Sequence, residues 1–134
     1  WANLQGMERV QRHRLELWDR YQSGLREWCE QLGVVQPCLP AGVRHPAHLY
    51  YLLLPDLEKR QQLMMYLRSH NVQAAYHYQP LHTSPMGLTY GGGEAECPVA
   101  IAAASRLIRL PLYADLKFEE QERVLDLIRN WAWK

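Results

Sequence analysis

Apolar residues recur at three- and four-residue steps over the first part of the chain. Leu4, Met7, Val10, Leu17, Tyr21, Leu25, Trp28 and Leu32 make one stripe, with arginine and glutamate on the opposite face. That period predicts one long amphipathic helix over 1–33, closed by Gly33 in the left-handed region. Three prolines and Gly42 then mark an irregular connector over 34–46. The run His48–Leu54 between two prolines reads as a buried strand. Asp56 is a good helix cap, and Leu57, Leu63, Met64 and Leu67 are spaced to line the inner side of a second helix ending near Ser69–Asn71. Val72–Tyr78 reads as a second strand stopped by Pro80. The stretch 79–96, with Gly87 and the triplet Gly91–Gly93, reads as a mobile loop. Pro98 suits the first turn of a short alanine-rich helix reaching Arg106. Leu107–Tyr113 reads as a third short strand or an extended segment, broken by Pro111. Glu119–Trp133 is the closing helix, with Val124, Leu125, Ile128 and Trp131 inward.

This order predicts an α+β fold: an open, mainly antiparallel sheet of about three strands with helices on one side. The expected organisation is a connecting helix over 1–33 and a small domain over 34–134. The chain opens on Trp1 with no capping residue ahead of it, which reads as a cut start.

Composition narrows the class. At 134 residues there is room for one domain. Apolar residues make up 48% and charged residues 22%, an ordinary globular balance. A net charge of +1 argues against a nucleic-acid partner bound through its phosphates. No apolar run approaches the roughly 18 residues needed to cross a membrane, and no basic-then-apolar leader opens the chain. The cysteines Cys29, Cys38 and Cys97 form no C-x-x-C pair, so a reduced, cytoplasmic setting is expected. Five tryptophans and eight tyrosines raise the expectation of a buried interface.

The chemistry-bearing cluster is Tyr76-His77-Tyr78-Gln79-Pro80-Leu81-His82, at a strand end opening into a loop. Imidazole and phenol groups there can hydrogen-bond a ligand hydroxyl or phosphate while a ring covers its apolar edge. The plainer alternative is a pair of packed strand tyrosines with histidines at the rim. A metal site at His77 and His82 is disfavoured, because no nearby Asp, Glu or Cys completes a shell. Ser84 lies near His82 but lacks a nucleophile elbow. Arg106 and Arg109 can grip a phosphate or carboxylate, though an ion pair with Asp115 or Glu119 is the plainer reading. The glycine triplet lacks the context of a phosphate-binding loop. Only Lys59, Lys117 and Lys134 could serve lysine chemistry.

The string Ala75–His82, followed by Ser105-Arg106-Leu107-Ile108-Arg109-Leu110-Pro111-Leu112-Tyr113-Ala114-Asp115-Leu116, resembles the C-terminal part of the DegT/DnrJ/EryC1/StrS aminotransferases. The opening Arg12–Tyr21 is similar to the helix leading into that family's small domain, and His48–Tyr51 to its first strand. The resemblance implies the small C-terminal domain of a fold-type-I pyridoxal-phosphate enzyme. That enzyme would be homodimeric and would move an amino group from glutamate to a nucleotide-linked 4-keto-6-deoxy sugar for cell-surface polysaccharide or amino-sugar synthesis. The sugar reaction that fits best yields a 4-amino-dideoxygalactose from a dTDP-linked ketone.

By the same resemblance Tyr78, His82 and His77 are substrate-proximal, and Arg106 and Arg109 are structural before they are ligand-binding. The family's Schiff-base lysine lies in a large domain outside this chain. No catalytic residue is therefore expected here, and no cofactor is expected to bind this piece alone. Two alternatives keep the fold: a sugar dehydratase of the same family, and a free-standing, non-catalytic binding module.

Overall fold

The computed structural model describes residues 5–93 and 97–132; Trp1, Leu4, Trp133 and Lys134 lie outside them. The elements are α1 (Met7–Gly24), α2 (Arg26–Leu32), β1 (Tyr50–Leu53), α3 (Leu57–Ser69), a 3-10 turn (Leu81–Thr83), α4 (Pro85–Thr89), α5 (Pro98–Arg106), β2 (Leu107–Leu110) and α6 (Phe118–Arg129).

The predicted first helix forms as two segments on one path. Leu25 lies between them at φ −104°, yet its N–H still bonds the Tyr21 carbonyl and its own carbonyl accepts from Cys29. Gly24 marks the place where α6 crosses. A Cβ there would lie 3.1 Å from a Leu125 methyl, and the Gly24 carbonyl accepts from Arg129 Nε. Gly33 ends α2 at φ 66°, as its lack of a side chain permits. Asp56 Oδ1 accepts from the Lys59 amide to start α3, and Asn71 takes the left-handed position after it at φ 59°.

β1 and β2 pair antiparallel with Tyr50 opposite Leu110, Tyr51 opposite Arg109 and Leu52 opposite Ile108. Alternation sends Tyr50, Leu52, Ile108 and Leu110 to one buried face. That face packs in one core with Tyr21 and Leu25 of the first helical stretch, Trp28 of α2, Leu63 and Leu67 of α3, and Val124, Leu125 and Ile128 of α6. Tyr21 and Tyr50 stack at 5.1 Å between ring centres, and Trp18 meets Tyr50 edge-on at 5.5 Å. Each phenol has a partner: Tyr21 Oη donates to the Pro111 carbonyl and Tyr50 Oη to Gln22 Oε1. One expected inward residue differs: Leu57 is exposed. Trp131 packs against the core as expected, although it lies beyond the end of α6, and its carbonyl accepts from Trp28 Nε1.

The expected strand over 72–78 is reduced to one bridge, Ala75 to Arg109, so the sheet has two strands with single bridges on its outer sides. The edge of β2 explains this. Only alternate residues of a strand offer their N–H and C=O to one side. On this side Arg109 is flanked by Leu107, whose N–H is already taken by the Ala103 carbonyl of α5, and by Pro111, which has none. The ladder cannot lengthen in either direction.

Candidate functional site

Arg109 and Ala75 exchange both backbone hydrogen bonds, so the two side chains share the sheet face opposite the core, together with Tyr51. His77, two residues beyond Ala75, projects to the same face. There Arg109 Nη1 lies 3.1 Å from His77 Nδ1 and closer still to Nε2. The guanidinium can only donate, so His77 accepts and is neutral in this contact. Desolvation, and then the Arg109 charge, hold the imidazole below its usual range. The Tyr78 ring stands edge-on to His77 at 4.3 Å and is 75% exposed.

Beyond Tyr78 the chain folds instead of wandering, which corrects the expectation of an open mobile loop. Thr83 and Ser84 amides bond back to Pro80 and Leu81 to form the 3-10 turn. Ser84 Oγ then accepts from the Gly87 amide, capping α4 with Pro85 in its first turn. Gly87 and Gly92 both press against the backbone of His82. A Cβ on Gly87 would strike the Leu81 carbonyl and lie 2.9 Å from His82 Cα, and one on Gly92 would strike the His82 carbonyl. His82 is half-buried in this turn, and its Nε2 is shielded from solvent with no hydrogen-bond partner among the described residues.

The turn presents Leu81, Met86, Leu88 and Tyr90 outward beside Tyr78. From Ala74 to Gly93 the chain has no Asp, Glu, Lys or Arg. So many exposed apolar side chains in a stretch with no charged residue of its own are characteristic of an interface.

The sequence candidates therefore divide. His77 and Tyr78 are in contact, whereas His82 is held separately as the hub of the turn. Ser84 is a helix cap. Tyr76 packs against Arg60, whose guanidinium carbon lies 4.8 Å from the ring centre. The expected ion pairs of Arg106 and Arg109 with Asp115 or Glu119 do not occur among the described residues; the ion pairs described join Arg20 and Arg129 to Glu122 and Asp126. Arg109, expected to be structural, makes a contact with His77 that the linear sequence did not announce. The alternation Ala75, His77 beside a strand carrying Arg109 was the available signal, but it needed the register to be read.

Among the described residues, no three His, Cys, Asp or Glu side chains gather to hold a metal, and no helix is long and apolar enough to cross a membrane. Nor do the described residues fit pyridoxal phosphate. That cofactor needs a lysine in a dry pocket. Lys59 lies in the first turn of α3, half-buried, and Lys117 is exposed at the start of α6.

Residues 1–129 match the DegT/DnrJ/EryC1/StrS aminotransferase family. The chain belongs to that family. It is 32% identical over 99 residues to the pleiotropic regulatory protein of Geobacillus stearothermophilus, covering 73% of this chain and 26% of that one. It is 27% identical over 127 residues to the dTDP-3-amino-3,4,6-trideoxy-alpha-D-glucose transaminase of Streptomyces venezuelae, covering 92% of this chain and 34% of the other. Its fold superposes on the crystal structure of Streptomyces venezuelae DesV in complex with a ketimine intermediate at a TM-score of 0.86 and 26% identity, over 97% of this chain and 34% of that chain. The DegT/DnrJ/EryC1/StrS chain described here thus spans between about a quarter and a third of the length of these relatives. The small α+β unit with its two-stranded antiparallel sheet matches the domain found in sugar aminotransferases of the family.

Proposed function

We propose that residues 34–134 act as the C-terminal small domain, and 1–33 as its connecting helix, of a pyridoxal-phosphate-dependent transaminase. This enzyme moves an amino group from glutamate to a nucleotide-linked 4-keto-6-deoxy sugar. In this reading the cofactor and its lysine come from a larger domain outside residues 1–134, and two copies of the longer protein pair in the cytoplasm. The product expected is a 4-amino-dideoxygalactose linked to dTDP.

The observation that carries the reading is the contact of His77 with Tyr78, followed along the chain by the exposed Leu81, Met86, Leu88 and Tyr90 in a stretch with no charged residue of its own. The rest of such an enzyme would cover that surface and leave His77 and Tyr78 at the seam. A sugar nucleotide offers such a seam many hydroxyls and an apolar ring face. The Tyr78 phenol can donate to or accept from a hydroxyl while its ring packs on the sugar. His77, accepting from Arg109 with one nitrogen, can donate with the other. His82 organises the turn that follows them, its backbone packed on Gly87 and Gly92.

Three measurements test this. A peptide of this chain, traced in its source cell, should belong to a polypeptide well over twice this length. A native mass near 15.7 kDa would overturn the domain assignment. The longer protein, given pyridoxal phosphate, glutamate and the dTDP-linked ketone, should form the amino sugar, while this chain alone should form none. In the longer protein Tyr78→Phe should lower kcat/KM by about three- to tenfold, the value of one hydrogen bond to a neutral group. Unchanged kinetics would remove Tyr78 from the site. A non-catalytic role is favoured by the name of the regulatory relative alone, and it predicts no amination by the longer protein.

A further inference from the structure

The three ion pairs described all lie on α1 and α6, so Arg109 carries a permanent charge that no carboxylate of the described residues balances. It is half-buried on the sheet face opposite the core. Among the described residues, the groups facing it are Tyr51 across β1, Leu107 along β2, and Ala75, His77 and Tyr78 from the adjoining segment. None of them can be negatively charged near neutral pH without a large shift. The other arginine-lined groove, between α3 and residues 71–76, differs. Arg60 there already donates to the Ala104 carbonyl and packs on Tyr76.

We propose that Arg109 and His77 form an anion site on this face, taking a phosphate or carboxylate oxygen of one of the two substrates. Assigning the anion to a substrate rests on the function proposed above; the site itself rests on this chain alone. The guanidinium keeps donors beyond the one directed at His77, and they can form charge-assisted bonds to an oxyanion. The present contact holds His77 neutral. An arriving anion neutralises Arg109, removes the repulsion against an imidazolium, and accepts from the ring as well. Anion binding and proton uptake at His77 are therefore coupled, each strengthening the other.

The anion has two sources, the diphosphate of a sugar nucleotide and a carboxylate of glutamate. The test is a pH titration of the histidine ring signals of the 134-residue chain by NMR, repeated with inorganic pyrophosphate and with glutamate at tens of millimolar. In the wild type, pyrophosphate or glutamate should raise the His77 midpoint by about one pH unit and leave the other histidines in place. Arg109→Met should raise the midpoint without any anion and abolish the response. Arg109→Lys, which keeps the charge, should keep part of it and shows that the sheet tolerates substitution there.

A response to pyrophosphate alone assigns the site to the nucleotide, and one to glutamate alone assigns it to the amino donor. His77 signals indifferent to both anions, or equal responses in wild type and Arg109→Met, overturn the proposal. An anion response in a chain whose longer form aminates no sugar would leave the site standing and remove the transaminase reading.

Discussion

Gln121 reaches from α6 to α1 and donates to the Leu17 carbonyl at 2.6 Å, fully buried, while its Oε1 accepts from Arg20 Nε at 3.0 Å. It is a neutral side chain that satisfies groups on the facing helix from inside the core. Gln121→Leu keeps the approximate volume but leaves the Arg20 donor without this acceptor. The expected loss is about 1–3 kcal/mol, read as a lower urea midpoint at unchanged slope. A midpoint equal to wild type would show that water replaces the bond without loss.

Gly87 acts locally. Gly87→Ala drives a methyl into the Leu81 carbonyl, so the turn over 80–92 must open. No residue of the 3-10 turn or of α4 is buried, so the global midpoint should move little. Limited proteolysis should speed up within this turn and nowhere else. Equal cutting of both proteins would mean that the turn is already open.

Tyr21 and Tyr50 should dominate alkaline stability. Burial pushes both phenols above the usual range, with Tyr113 adding to the effect at Tyr21 and Gln36 partly opposing it at Tyr50. A raised folded-state value favours the neutral form. Their contribution is therefore complete below about pH 10 and falls as pH rises past it. Phenolate absorbance during a pH jump should show two of the eight tyrosines ionising only as circular dichroism reports unfolding. Eight fast ionisations with the fold intact would contradict this.

The thiols should separate in the same way. Cys29 is buried and its thiol is pushed up to about 12, first by burial and then by Glu30, whereas Cys38 and Cys97 are exposed. A thiol reagent at mild alkaline pH should label Cys38 and Cys97 in the native protein and Cys29 only in denaturant. Labelling of all three at one rate would refute the packing around Cys29.

The features legible in the sequence were those set by local chemistry. Asp56, Gly33, Asn71 and Pro98 announce helix ends because a cap, a left-handed residue or a missing N–H acts within a turn of its own position. The core stripe of Leu17, Tyr21, Leu25 and Trp28 followed from periodicity. The shortened edge at Ala75 was hidden because it depends on Leu107 having spent its N–H on α5. Gly92 read as slack chain because the His82 backbone it presses against is ten residues away and visible only in the fold. His77, Tyr78 and His82 are candidates through a resemblance, and the fold shows the first two in contact. The Arg109 contact joins segments 32 residues apart and needed the strand register.

The clasp between the first and last helices also sets an order of events. Leu17 meets Gln121 across 104 positions, Arg20 meets Glu122 across 102, and Trp28 meets the Trp131 carbonyl across 103. Contacts that distant carry a large loop-closure entropy and slow the search for the native state. A nascent chain that has emerged only as far as β2 has made α1 and its aromatic stripe but not the helix that covers them. During synthesis the side of Tyr21, Leu25 and Trp28 that packs on α6 therefore stays open until Phe118–Arg129 arrives. Apolar surface left open in that interval is prone to aggregation, and a ribosome pause just before α6 would lengthen the exposure.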